Sequence, residues 1–261
     1  MLVNLGLTML SGQPPHFIWV KDNGVFKRVW NGKIIELKQD GKGKIESNDR
    51  KFANFTLRSQ DDLKKIYSKI AIDSFIKKAV KDYEGMRITQ SPVWEATACF
   101  VLSSNNSISN IRNSVQLLMK KFGEKTEGMY EFPSIESIAK AKEPELRECK
   151  AGFRAKYLKC AANLLLENDY NFDSKDKAKE FLLECQGIGG KVAECICLFG
   201  YGFLDSFPVD VWIKRAMDEV YFQGKHSSID SIQEKAGELW GSFQGYANHY
   251  LFYEFMSKKR K

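Results

Sequence analysis

Hydrophobic positions along this chain follow two different periods. Up to about Ser59, short runs rich in Val, Ile, Phe and Trp are separated by turn signals at Asp22-Asn23-Gly24, Asn31-Gly32 and Asp40-Gly41-Lys42-Gly43. Short runs of this kind between turn residues predict strands. Asn31-Gly32 between Val29-Trp30 and Lys33-Ile34-Ile35 predicts a hairpin, because both turn positions tolerate positive φ. The expectation is an antiparallel sheet of about four to six strands. Beyond Ser59 the apolar residues take helical spacing, first over 61–72 and 74–83. From Ser91 onward helices are predicted almost throughout, over 92–103, 107–122, 135–141, 154–168, 174–184, 190–200, 211–222, 229–240 and 245–257. Ser91-Pro92 reads as a helix start, with serine as N-cap and proline in the first turn. Lys258 to Lys261 reads as a frayed, solvated end. The predicted fold class is α+β: a β-rich N-terminal domain with flanking helices over 1–85, then a mostly α-helical domain over 86–261.

Composition narrows the class. A chain of 261 residues, 43% hydrophobic and 28% charged, can bury a core without disulfide or metal staples. Its apolar runs are too short to span a bilayer, and its first residues do not read as a secretory signal. The six cysteines, Cys99, Cys149, Cys160, Cys185, Cys195 and Cys197, form no paired CxxC motifs of the zinc type. They are expected to be reduced thiols in an intracellular protein. The net charge of +7 suits a polyanionic partner without requiring one. Sixteen basic and ten acidic residues place +6 in residues 1–85, which leaves +1 for the other 176. A nucleic-acid site in the second part therefore needs local arrangement rather than bulk charge.

The segment from Phe181 to Val211 carries the most chemistry. A predicted helix ends near Cys185, Gln186-Gly187-Ile188-Gly189-Gly190 forms a tight connection, and a second helix starts at Lys191. Two helices joined by a glycine-rich turn make a helix-hairpin-helix, whose exposed amides at a helix start suit a phosphate. A P-loop would need glycine at position 185 and Ser or Thr at 192, where Cys185 and Val192 stand. A dinucleotide fingerprint would need a strand before the glycines. Nineteen residues after Lys191, Asp210 in Pro208-Val209-Asp210-Val211 is placed as the N-cap of another helix. The positive end of a helix and partial burial both favour a neutral, nucleophilic amine at Lys191. Such an amine can form a Schiff base on a sugar carbon, and a neighbouring carboxylate can stabilise the charge that builds there. Taken alone, the pair also fits a solvated lysine and a simple helix cap.

Gly187-Ile188-Gly189-Gly190-Lys191 followed by Pro208-Val209-Asp210-Val211 resembles the signature of the helix-hairpin-helix DNA glycosylases, which act on bases flipped out of the duplex. Within them the chain is most similar to the eukaryotic-type 8-oxoguanine DNA glycosylase/AP lyase. Ser11-Gly12-Gln13, Ser103-Ser104-Asn105-Asn106, the segment from Ala151 to Tyr157, the helix from Lys191 to Cys197 and the segment from Gly245 to Phe252 carry that likeness, in order, over nearly the whole chain.

The resemblance implies a bifunctional enzyme. Lys191 would be the nucleophile and Schiff-base former, and Asp210 the stabilising carboxylate. Cys195 and Phe252 would sandwich the flipped base, Gly12 would tell oxidised from normal guanine by one hydrogen bond, and Asn248 stands where the family has a glutamine that reads the base edge. Asn105, Phe153 and Arg154 would hold the gap in the duplex, with Arg154 reading the estranged cytosine. Amides of Gly187 and Gly189 would bind backbone phosphate, with a monovalent cation as a structural companion. The expected partner is double-stranded DNA with a damaged base, met by a monomer in the cytoplasm or nucleoid of a prokaryote or the nucleus of a eukaryote, with no membrane, catalytic metal or redox cofactor.

Two positions depart from the family pattern. Asn110 replaces a second cytosine-reading arginine, so weaker discrimination for cytosine opposite the lesion is expected, readable from excision rates against the four opposing bases. Trp212 stands where a histidine is usual. Cys197 is the last cysteine, so the four-cysteine iron–sulfur motif of endonuclease III and adenine glycosylases cannot form in its usual place. Lys191 argues against the alkylpurine glycosylases, which lack that lysine. Two alternatives stay open: a glycosylase for another damaged base, and a non-catalytic module that binds DNA.

Overall fold

The computed structural model describes residues 1–258; of the frayed end expected over 258–261, Lys258 closes the last helix and 259–261 lie outside the described residues. Four antiparallel strands form one sheet in the order β1 (Val20–Asp22), β2 (Val25–Trp30), β3 (Lys33–Gln39) and β4 (Ile45–Ser47). The two turns that set its register carry positive φ at Asn23, Gly24, Asn31 and Gly32, and Val29 pairs with Ile34 across the second. Phe26, Ile35 and Leu37 are buried on one face of the sheet, and Val29 is buried on the other. The Glu131 carboxylate accepts from the Asn31 and Gly32 amides at 2.6 and 3.2 Å, which ties the hairpin to the helical part.

The expectation of continuous β-structure up to Ser59 is corrected. Helices Leu5–Met9 and Pro14–Ile18 precede the sheet, and Arg50–Thr56 follows it. Each starts on a local signal: the Asn4 and Asp49 side chains accept from Leu7 N and Phe52 N, and Pro14-Pro15 occupies the first turn of the second helix. With five to seven residues each, they are too short for a helical period to stand out. Glu143–Glu148 is a further helix that the pattern does not predict. The start at Ser91-Pro92 is also corrected. Pro92 is the N-cap of helix Val93–Leu102, and the Ser91 amide donates instead to Phe199 O at 2.9 Å.

Val93–Leu102 runs through the centre, with every residue from Trp94 to Leu102 buried. Helices Ala155–Glu167 and Gly190–Ile196 pack on it. Helix Gln244–Lys258 packs on Leu63–Ile70, Ser74–Asp82, Val211–Tyr221 and Ile229–Trp240. Tyr246 Oη donates to Asp61 at 2.8 Å, and Tyr83 Oη donates to Glu254 at 2.8 Å. Buried side chains from both sides of residue 85 therefore share one core. Among the described residues, no helix is long and apolar enough to cross a membrane.

Candidate active site

The hairpin is built as its glycines require. Helix Lys175–Leu183 is followed by a turn that leads into helix Gly190–Ile196, and Gly189 is the N-cap of the second helix. Gly187 has φ +97°, and a Cβ there would lie 2.1 Å from the Tyr157 ring. Only glycine combines that left-handed backbone with such close approach. A Cβ at Gly189 or Gly190 would meet nothing within 4 Å, so this helix start is open to an approaching group. The oxygen donors of residues 186–190 are backbone carbonyls and the Gln186 amide, a hard set that suits a monovalent cation better than a transition metal. Among the described residues, no cluster of three or more His, Cys, Asp or Glu could hold a metal ion.

Lys191 sits in the first turn of that helix and lines a cavity of about 830 Å³. Its Nζ donates to Ser103 Oγ at 3.3 Å and lies 5.7 Å from the centre of the Phe100 ring. Asp210 lines the same cavity. Its Oδ1 accepts from Trp212 N and Ile213 N at 2.9 and 2.8 Å, so it caps helix Val211–Tyr221. Burial raises the Asp210 carboxyl above its usual range, while the Ile213 amide, the Lys191 ammonium and the Trp212 amide pull it back. A carboxylate held at some cost beside a cation interacts strongly with any positive charge that develops nearby.

Three contacts bring the two groups together. Glu194, one turn along from Lys191, is 2% exposed and accepts from Phe207 N at 3.0 Å. Gln233 Nε2 donates to Phe207 O at 3.2 Å. Asn248 Nδ2 donates to Pro208 O at 2.9 Å. The backbone leading to Asp210 is thus held from the Lys191 helix and from the C-terminal helix at once. Asn248 also lines the cavity, but its amide nitrogen is engaged with this loop.

Gly12, Cys195 and Phe252 line the same cavity. Burial pushes the Cys195 thiol up to about 11, against the pull of Lys191, so it is a neutral wall at pH 7. Gly12 has φ +85°, and a Cβ on it would lie 3.2 Å from Ile108 and 3.5 Å from the Phe252 ring. Gly12 and the Phe252 ring thus approach each other closely in the cavity lining.

Asn105 stands exposed at the cavity edge with φ +48°. Phe153, Arg154, Gly187 and Gly189 lie outside the cavity lining. Phe153 is 46% exposed and meets Tyr157 edge-on. Arg154 stacks its guanidinium 4.4 Å from the Phe153 ring centre. It is itself buried, and it spends Nε on Ser104 O at 2.6 Å and Nη2 on Asn105 O at 2.7 Å. In this arrangement Arg154 holds the Asn105 loop rather than projecting into solvent. Trp212 lines the cavity, with the Arg215 guanidinium 5.5 Å from its ring centre. Asn110 is exposed in the first turn of helix Ile108–Phe122.

Sequence reasoning assigned no role to Ser103, Phe100, Glu194 or His249. Ser103 and Lys191 are 88 residues apart, so no local motif could join them.

Comparison with known proteins finds DNA repair enzymes. A "Probable N-glycosylase/DNA lyase" of Methanothermobacter thermautotrophicus is 29% identical over 191 residues, which cover 61% of this chain and 59% of the relative. The N-glycosylase/DNA lyase of Saccharomyces cerevisiae is 28% identical over 233 residues, covering 73% and 62%. The chain thus spans about three fifths of the length of these curated relatives. Among solved structures, the Clostridium acetobutylicum 8-oxoguanine glycosylase/lyase, bound to double-stranded DNA with cytosine opposite 8-oxoguanine, superposes with a TM-score of 0.88 at 28% identity. That match covers 98% of this chain and 93% of the other. Residues 98–242, more than half of the chain, match the family described as HhH-GPD superfamily base excision DNA repair protein. With that match added to the hairpin and the lysine–aspartate cavity, the chain belongs to the HhH-GPD superfamily of base excision DNA repair proteins.

Proposed function

We propose that this protein excises 8-oxoguanine from duplex DNA and then cleaves the strand at the emptied sugar. The observation that carries the reading is that Lys191 and Asp210 share one cavity with Gly12, Cys195 and Phe252. A flipped purine lies between Cys195 and Phe252, with its sugar towards Lys191. The Lys191 amine attacks the anomeric carbon, and the base departs with the electrons of its glycosidic bond and takes up the proton that the amine gives up. The C1′–O4′ bond of the sugar ring then opens to leave an iminium. The resulting iminium acidifies the neighbouring sugar carbon, which permits β-elimination of the 3′ phosphate. Asp210 stabilises the positive charge on the sugar as the bond breaks. The exposed Phe153 and the Asn105 loop held by Arg154 fill the gap left in the duplex. The open amides at Gly189 and Gly190 take a backbone phosphate, and hairpin carbonyls hold a monovalent cation as a structural companion. The likeness to the Clostridium acetobutylicum enzyme supports the substrate class, and the lyase names of the other relatives support strand cleavage.

Borohydride reduction tests the nucleophile. Wild-type protein mixed with an 8-oxoguanine duplex is expected to give a covalent protein–DNA adduct, and Lys191→Gln is expected to give none. Equal trapping by both would remove Lys191 from its role. Trapping by neither, with duplex binding intact, would leave a non-catalytic binding module.

A further inference from the structure

In and beneath the cavity wall lies a polar cluster that the chemistry above does not use. Ser11 and Gln13 flank Gly12 in the chain, and both are fully buried, while His249 is 3% exposed. Ser11 Oγ donates to Thr8 O at 3.1 Å. It accepts from Gln13 Nε2 at 2.8 Å and meets His249 Nε2 at 3.0 Å. Thr8 O also lies 3.1 Å from Gln13 Nε2; with the Ser11 hydroxyl hydrogen on Thr8 O, His249 donates to Ser11 from Nε2. Gln13 Nε2 also reaches Arg87 O at 2.9 Å, and Gln13 Oε1 accepts from Thr89 N at 2.6 Å. The Gly12 amide itself donates to His16 Nδ1 at 3.2 Å. Burial holds the His249 imidazole at about 3, so the ring stays neutral and keeps donating at physiological pH.

The same ring faces the aromatic side of the cavity. His249 stacks on Phe252 with centroids 6.4 Å apart and planes at 15°, and meets Phe199 edge-on at 6.0 Å. One imidazole therefore reaches two parts of the cavity lining: Gly12 through Ser11, and Phe252 directly. Gly12 has a positive φ and no side chain to anchor it, so its place depends on the residues that flank it. A fully satisfied buried network supplies that rigidity, since each member costs free energy if its partner moves away.

We infer that Ser11, Gln13 and His249 are positioning residues that fix the separation of Gly12 from Phe252, and so set how well the cavity tells an oxidised purine from a normal one. The inference rests on the proposed function and adds to it the device that enforces selectivity. A discriminating hydrogen bond works only if its carbonyl is held within a fraction of an ångström.

The test uses the full chain with two duplexes, one carrying 8-oxoguanine opposite cytosine and one carrying a preformed abasic site. An abasic site puts no base beside Gly12 or against Phe252. His249→Ala and Ser11→Ala are each expected to lower 8-oxoguanine excision at least about tenfold more than they lower abasic-site cleavage. His249→Gln restores an N–H donor towards Ser11 and is expected to recover most of that ratio. If His249→Ala does not fold, the smaller change Ser11→Ala carries the test. Equal losses on both substrates, or undiminished excision, would overturn the inference while leaving the function standing. Wild-type protein that cleaves abasic sites but leaves 8-oxoguanine in place would instead overturn the proposed substrate.

Discussion

Asp210 meets two demands with one carboxylate. It caps helix Val211–Tyr221 through Trp212 N and Ile213 N, and it keeps negative charge in a desolvated cavity beside Lys191. Burial raises its pKa, so folding favours the protonated form. Relative to an ordinary aspartate, that stabilisation is present below the usual carboxyl pKa and is lost as pH rises through the folded-state value. Asparagine caps a helix about as well but carries no charge. Asp210→Asn is therefore expected to gain stability on wild type between about pH 4 and pH 7, measured by urea unfolding. In the same variant, excision is expected to fall by about two to three orders of magnitude. A variant whose stability relative to wild type is the same at both pH values would show that the carboxylate is not held at a cost. Lys191 and Asp210 were legible in the sequence because each sits in a short local motif. Ser11 and His249 were not, since 238 residues separate them.

At the scale of elements, the hairpin works because its glycines are not equivalent. Gly187 faces the Tyr157 ring with positive φ, while Gly189 faces open space. Gly187→Ala is expected to cost about 1–3 kcal/mol through overpacking, with backbone strain added. Gly189→Ala is expected to cost about 1 kcal/mol or less, the loss of a preferred N-cap residue. Thermal or urea unfolding of the two variants checks the order, and a reversed order would mean that the Tyr157 contact does not constrain the turn. Long helices were legible from periodicity. The helices Leu5–Met9, Pro14–Ile18 and Glu143–Glu148 were not, because five or six residues give hardly more than one turn of pattern.

Across the whole molecule, one buried ion pair couples the sheet to the central helix. Arg28 on β2 and Glu95 on helix Val93–Leu102 are 2% and 3% exposed, with Nη1 and Oε2 2.9 Å apart. The Arg28 guanidinium also lies 5.1 and 5.2 Å from the Trp30 and Phe52 ring centres. Glu95→Ala leaves Arg28 charged and unpaired in the core, with an expected loss of about 3–5 kcal/mol. Arg28→Met with Glu95→Leu is expected to recover most of that loss in urea unfolding, because two apolar side chains of similar volume need no partner. A double variant as unstable as the single one would mean that the pair's geometry, rather than the stranded charge, holds the two parts together.

The sequence by itself determined the local features: the strand turns at Asn23-Gly24 and Asn31-Gly32, the glycine hairpin, the Asp210 cap and the family signature around Lys191. Each depends on residues a few positions apart, where backbone preference and side-chain capping act directly. The tertiary structure decided which of these features meet. Gly12 faces Phe252 across nearly the full length of the chain, and Glu194, Gln233 and Asn248 bring Asp210 to Lys191. Such contacts depend on how buried faces pack and how buried polar groups find partners, and neither is written in any short stretch of residues.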